Sequence, residues 1–151
     1  MDTIPPQEQI EREKEHIIAS IIASAEKEPK DSEIPILITL RYGSKELDIV
    51  YFKDKNTFST AVEGYEDREK KPEETRFLYM AAKRLMQEIA NRAQSEIEYT
   101  LETTDEKMLP FAQTHGKQIF DWDSEKETEF ETEKGKFKTW SFIKVFSPSG
   151  S

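Results

Sequence analysis

Cysteine is absent from the chain, which removes disulfides, thiolate zinc sites, iron–sulfur clusters and thiol nucleophiles together. Two histidines, His16 and His115, are too few for a histidine-rich metal centre. Five glycines in 151 residues leave little material for a phosphate-binding loop, and neither a P-loop, a dinucleotide glycine fingerprint nor G-x-S-x-G occurs. No apolar run approaches membrane-spanning length. Pro5, Pro6 and several glutamates stand where a secretory signal needs a basic start and an apolar centre, so a cytoplasmic protein without membrane contact is expected. A net charge of −9, from 31 acidic and 22 basic residues, repels regularly spaced phosphates and argues against nucleic acid as a partner.

Apolar and charged residues each make up 35% of the chain, and nine Phe, five Tyr and two Trp supply bulk for one core. A single α+β domain is expected, with a mixed, mostly antiparallel sheet and flanking helices. Residues 1–33 would be a helix and linker of that domain, 34–146 its core, and 147–151, "SPSGS", a flexible tail.

Ile10, Ile17, Ile18, Ile21, Ile22 and Ala25 recur at helical spacing and predict a helix over 6–28. The stretch "IPILITLRYGSKELDIVYFK" reads as a hairpin turning at Gly43, and "FSTAVEGY" offers a further short strand. A charged loop, "EDREKKPEET", opens onto a long helix carrying Phe77, Leu78, Met80, Ala81, Leu85, Met86, Ile89 and Ala93 on one broad face. "EIEYTLE" predicts a strand, "TTDEKMLPFAQTHG" a short helix bent or delayed by Pro110, and "KQIFDW" another strand. Asp121 and Asp123 share a strand face and admit either a hard cation or a simple turn. His16 reads as a helix-surface residue, and His115 as a base or as a cation favoured by a helix C-terminus.

The closing "EKETEFETEKGKFKTWSFIKVF" places Glu125, Glu127, Glu129, Glu131 and Glu133 on one strand face. A turn at Lys134 and Gly135 would set Glu133 opposite Lys136 and Glu131 opposite Lys138. Either this is a solvated hairpin arm, or its acidic face receives a basic protein partner. The last strand, with Trp140, Phe142 and Phe146, would risk an exposed aromatic edge and so invites homodimer pairing.

The order of these elements over roughly 34–146 resembles the GNAT (GCN5-related N-acetyltransferase) superfamily, most of all from Arg76 onward. The segment Arg76-Phe77-Leu78-Tyr79-Met80-Ala81 is similar to that family's R/Q-x-x-G-x-G/A motif, with Tyr79 at the place of the central glycine. The resemblance implies acetyl-CoA as cofactor, its pyrophosphate held at a helix N-terminus by Arg76, Tyr79 and Ala81, with Lys70, Lys71 and Asp105 contributing. It implies acyl transfer to a small-molecule or peptide amine, with Glu63 as base and Tyr99 as acid, since Ala112 occupies the family's acidic tyrosine position. The alternative is a non-catalytic interaction module of the same fold that has lost acyl-CoA binding, motivated by Tyr79 and Ala112.

Overall fold

The computed structural model describes residues 6–62 and 70–149. Helix α1 (Pro6–Ala23) buries only Ile18 and Ile21, so the stretch before them, including Ile10 and His16, is largely exposed. It stops before the predicted end at residue 28, because Glu26–Glu28 instead pairs with the next strand as β1. The Ser24 hydroxyl donates to the carbonyl of Ile21, satisfying one acceptor of the last turn.

Strands β2 (Leu37–Tyr42) and β3 (Lys45–Phe52) form the expected hairpin, with Gly43 at φ +61° in its two-residue turn. Along β3 burial alternates strictly from Lys45 to Val50, which marks one face as core and the other as open. A 3-10 turn (Lys53–Lys55) leads into β4 (Thr57–Ala61). Helix α2 (Pro72–Ala93) follows, then β5 (Ile97–Thr103).

The segment 104–123 departs most from the sequence reading. Asp105 caps a single 3-10 turn (Glu106–Met108), accepting from the Lys107 amide at 3.0 Å. Pro110, lacking an N–H, then precedes a π-helical turn (Phe111–Gly116) that runs into the one-turn helix α3 (Lys117–Phe120). The predicted strand "KQIFDW" is therefore helical. Its Phe120 is fully buried, stacked on Tyr99 at 5.2 Å and on Trp122 at 4.6 Å. Phe120 and Trp122, two residues apart, imitate the alternation of a strand when read as letters.

Strands β6 (Ser124–Thr132) and β7 (Gly135–Phe146) complete one seven-stranded sheet, ordered β1-β2-β3-β4-β5-β7-β6. All neighbours are antiparallel except β4 and β5. Ile38, Leu40, Leu47, Ile49, Phe58, Ile97, Leu101, Phe142 and Phe146 belong to one buried cluster with Leu78, Ala82, Leu85 and Ile89 of α2. Each large side chain in it contributes roughly 1.5–3 kcal/mol by leaving water. The opposite sheet face carries Val50, Phe52, Ser59, Thr100 and Ile143 and remains a shallow groove of about 350 Å³.

Strand β7 is flanked by β5 and β6, so no edge of it is left for homodimer pairing between Ser141 and Ile143, and Phe142 and Phe146 are buried. The segment after β7 is fastened as far as Ser149. Gln87 Nε2 donates to the Ser147 carbonyl at 2.7 Å, and the Ser149 amide donates to Asn91 Oδ1 at 2.8 Å. No helix of the described residues is long and apolar enough to cross a membrane.

Candidate functional site

The start of α2 is where an anion would bind if the acyl-CoA expectation held, because a helix N-terminus carries unpaired N–H groups and positive partial charge. Pro72 stands first in the helix and has no N–H, and the Glu74 amide donates to the Lys71 carbonyl at 3.0 Å. Glu73 and Glu74 occupy the first turn. The Glu74 carboxylate is nearly buried and accepts from the amide of Ser44 at 2.8 Å and from its hydroxyl at 3.3 Å. The protein's own carboxylate thus sits at the positive helix end and ties it to the β2–β3 turn.

The expected cofactor residues lie elsewhere than the motif reading placed them. Arg76 is the fifth residue of α2, so the amides from Arg76 to Ala81 fall inside the helical ladder and offer no free donors. Its guanidinium instead meets His115 Nδ1 at 2.6 Å and Gln118 Oε1 at 3.0 Å. A guanidinium only donates, so Nδ1 of His115 accepts and the ring proton sits on Nε2. Burial and then the Arg76 charge hold the His115 pKa below its ordinary value, which works against the dipole-stabilised cation expected for it. Lys71 holds φ +54° just before Pro72, with its Nζ 3.9 Å from Glu74. The Lys70 carbonyl accepts from the buried Lys45 Nζ at 2.6 Å.

Tyr79 is 0% exposed and Ala81 is equally buried, so neither presents a surface to a ligand. The Tyr79 ring lies 5.9 Å from that of Phe120, within the core. Tyr99, the expected general acid, is also fully buried, and its hydroxyl donates to Thr60 Oγ1 at 2.7 Å. That bond crosses between β4 and β5, which stay paired from Thr57↔Glu98 to Ala61↔Glu102. Beyond their last pair the Val62 amide still donates to the Glu102 carbonyl at 2.7 Å. The space among Val62, Tyr79, Leu101, Met108, Ala112 and Phe142 admits no water molecule. Asp105 serves its 3-10 cap, and Trp122 Nε1 donates to the Ala112 carbonyl at 3.1 Å. Glu63, the expected base, lies outside the described residues.

These residues do not fit acetyl-CoA. The diphosphate would meet a carboxylate-bearing helix start, and the interior beside it is filled by the paired strands β4 and β5 and by the rings of Tyr79 and Tyr99. Asp121 and Asp123 resolve as a turn: Asp121 takes φ +52°, while Asp123 accepts from the Val145 amide at 2.7 Å and pairs with Lys144 at 3.6 Å. Among the described residues no group of three or more His, Asp or Glu is placed to hold a metal ion.

A second candidate surface is the β6–β7 arm, in which all nine β6 residues are exposed. Its turn is Glu133-Lys134, one residue earlier than expected, with Gly135 at φ +127° closing it. The pairing therefore sets Glu131 opposite Lys136 and Glu129 opposite Lys138, two residues away from the predicted register, and Glu133 leaves the ladder for the turn. Glu127 accepts from Trp140 Nε1 at 3.1 Å and lies 3.4 Å from Lys138 Nζ. Glu125, Glu127, Glu129 and Glu131 share one face, which continues that of buried Phe142. The other face carries Phe130 and Phe137, 42% and 41% exposed and stacked across the strands at 5.7 Å. The sequence reading overlooked this pair, although a lone Phe at an even position within an acidic strand was the available signal.

No family model matches the sequence, and neither the curated proteins nor the solved structures include one with significant similarity to it.

Proposed function

We propose that the chain is a non-catalytic binding module of GNAT-like fold, without acyl-CoA chemistry, that works through its exposed β6–β7 arm. The fold resemblance is supported by the chain order of β2, β3 and β4, a long helix, a strand, short helices and two closing strands. The observation that carries the non-catalytic reading is the complete burial of Tyr79. A phenol packed against Phe120 in the core occupies the place where the resemblance puts a glycine beside the cofactor. The same conclusion follows from Tyr99, whose hydroxyl is engaged with Thr60 and has no route to a departing thiolate. Accessible in the same molecule is a two-stranded projection whose first strand borders the sheet.

Amide NMR spectra recorded with and without millimolar acetyl-CoA test this. Unchanged resonances from Lys70 through Ala81 are the expected result. Saturable shifts confined to that segment would return the chain to the acyltransferase reading.

A further inference from the structure

Strand β6 ends the sheet, and nine exposed residues make it the longer of the two edges, since β1 at the other end has only three. Every second residue of such a strand turns its N–H and C=O away from the ladder, and these groups form a template for one more strand. Natural edges of this length are ordinarily covered or blocked. Here the feature that limits pairing is the side-chain pattern: glutamates at 125, 127, 129 and 131 on one face, and Lys126, Thr128, Phe130 and Thr132 on the other.

That pattern discriminates among occupants. A second copy of the chain, related by a two-fold axis through the sheet, must pair its β6 antiparallel with faces matched. Odd residues then always meet odd residues: centred on Thr128, Glu127 faces Glu129 of the copy and Glu125 faces Glu131. Like charges directly opposite oppose pairing, so the edge rejects itself. The row of Lys136 and Lys138 on β7 lies on the inner side of the glutamates and neutralises them only from there. An incoming strand bearing lysine or arginine at alternate positions would meet the four glutamates from the outer side. Its intervening apolar residues would lie on the face of Phe130 and Phe137.

We propose that β6 is a strand-addition site for an extended basic segment of a partner protein, with Lys or Arg at every second residue and small or β-branched residues between. Backbone hydrogen bonds to the β6 edge hold the segment, and Glu125, Glu127, Glu129 and Glu131 set its register. This deepens the binding-module reading and rests on it. Failure of the peptide test below, with acetyl-CoA still not bound, would remove this site alone, whereas acetyl-CoA binding would remove the module reading itself.

The probe is a synthetic nine-residue peptide with lysine at odd positions and threonine or valine between, titrated into the full chain while amide hydrogen exchange of β6 is followed. The outward amides of β6 are expected to slow by about tenfold or more at saturation. Two controls carry the same charge: one peptide with its lysines contiguous, and one N-methylated at alternate residues so that it cannot complete a ladder. Each is expected to bind about tenfold or more weakly than the alternating peptide. Equal binding of either control would reduce the effect to general charge attraction and overturn the proposal. Protection elsewhere than β6, or no binding, would overturn it as well. Replacing Glu125, Glu127, Glu129 and Glu131 together by Lys should abolish binding of the lysine peptide and create binding of its glutamate counterpart; loss without that exchange of preference would contradict a register-setting role.

Discussion

The Tyr99 hydroxyl donates to Thr60 Oγ1 at 2.7 Å and so bridges the parallel strands β4 and β5 inside the core. The bond joins two buried side chains across the seam between these strands. Tyr99→Phe should leave the Thr60 hydroxyl short of its donor and cost about 1–2 kcal/mol, read from urea unfolding. Thr60→Val should cost a similar amount. The double variant should cost less than the sum, as expected for partners in one buried interaction.

Tyr79→Ala should destabilise the fold by about 3–5 kcal/mol, because the ring is core and its removal leaves a cavity. A residue whose task was to touch a cofactor would lose little stability on truncation. Chemical denaturation of the variant separates the two cases. An unchanged midpoint would contradict the packing described for this ring.

Glu74 and Gly43 are coupled. A Cβ added at Gly43 would collide with the Glu74 carboxylate, and φ +61° at this turn already disfavours any other residue. Gly43→Ala should cost about 1–2 kcal/mol from backbone strain alone, and more as Glu74 is displaced from Ser44. Glu74→Ala should cost about 1.5–3 kcal/mol by removing a charged acceptor from the Ser44 amide. Combining the two should be clearly less than additive by thermal or urea unfolding.

Much of this fold is legible in the sequence where side-chain period and turn chemistry agree. The hairpin at Gly43, the long helix with its Leu78 to Ile89 face, and the strand around Tyr99 all follow local rules that tertiary packing leaves intact. The segment from Thr104 to Trp122 misleads because Phe120 and Trp122 are positioned by ring stacking on Tyr99 and Phe142, a tertiary cause with no local period. The candidate site is harder to read for a related reason. Arg76 to Ala81 fits a cofactor motif by spelling, but Pro72 starts the helix one turn earlier and draws those amides into the ladder. The glutamate stripe was readable from period two, whereas its register depended on a turn that Glu133 and Lys134 take before Gly135.

His115 gives a pH signature. Its folded pKa is lowered, by burial first and by Arg76 second, so the unfolded chain binds the proton more readily. Stability attached to this group is therefore complete above the ordinary histidine range and is lost as pH falls through it, toward the lowered folded value. His115→Gln should flatten the stability profile between about pH 5 and pH 7, where an unperturbed imidazole titrates.

Self-pairing of β6 should be held off by its glutamates. Replacing Glu125, Glu127, Glu129 and Glu131 by Gln should raise self-association by about tenfold or more, detected by sedimentation equilibrium, while the wild-type chain stays monomeric at the same concentration. A quadruple variant as monomeric as the wild type would show that another feature closes this edge.

The most direct test of the central claim is a calorimetric titration of acetyl-CoA into the wild-type chain at millimolar concentration. With Tyr79 packed in the core and β4 joined to β5 throughout their length, the trace should match the heat of dilution. A saturable heat with one-to-one stoichiometry would mean that the core opens to admit the cofactor, and the chain would then be a transferase candidate rather than a binding module.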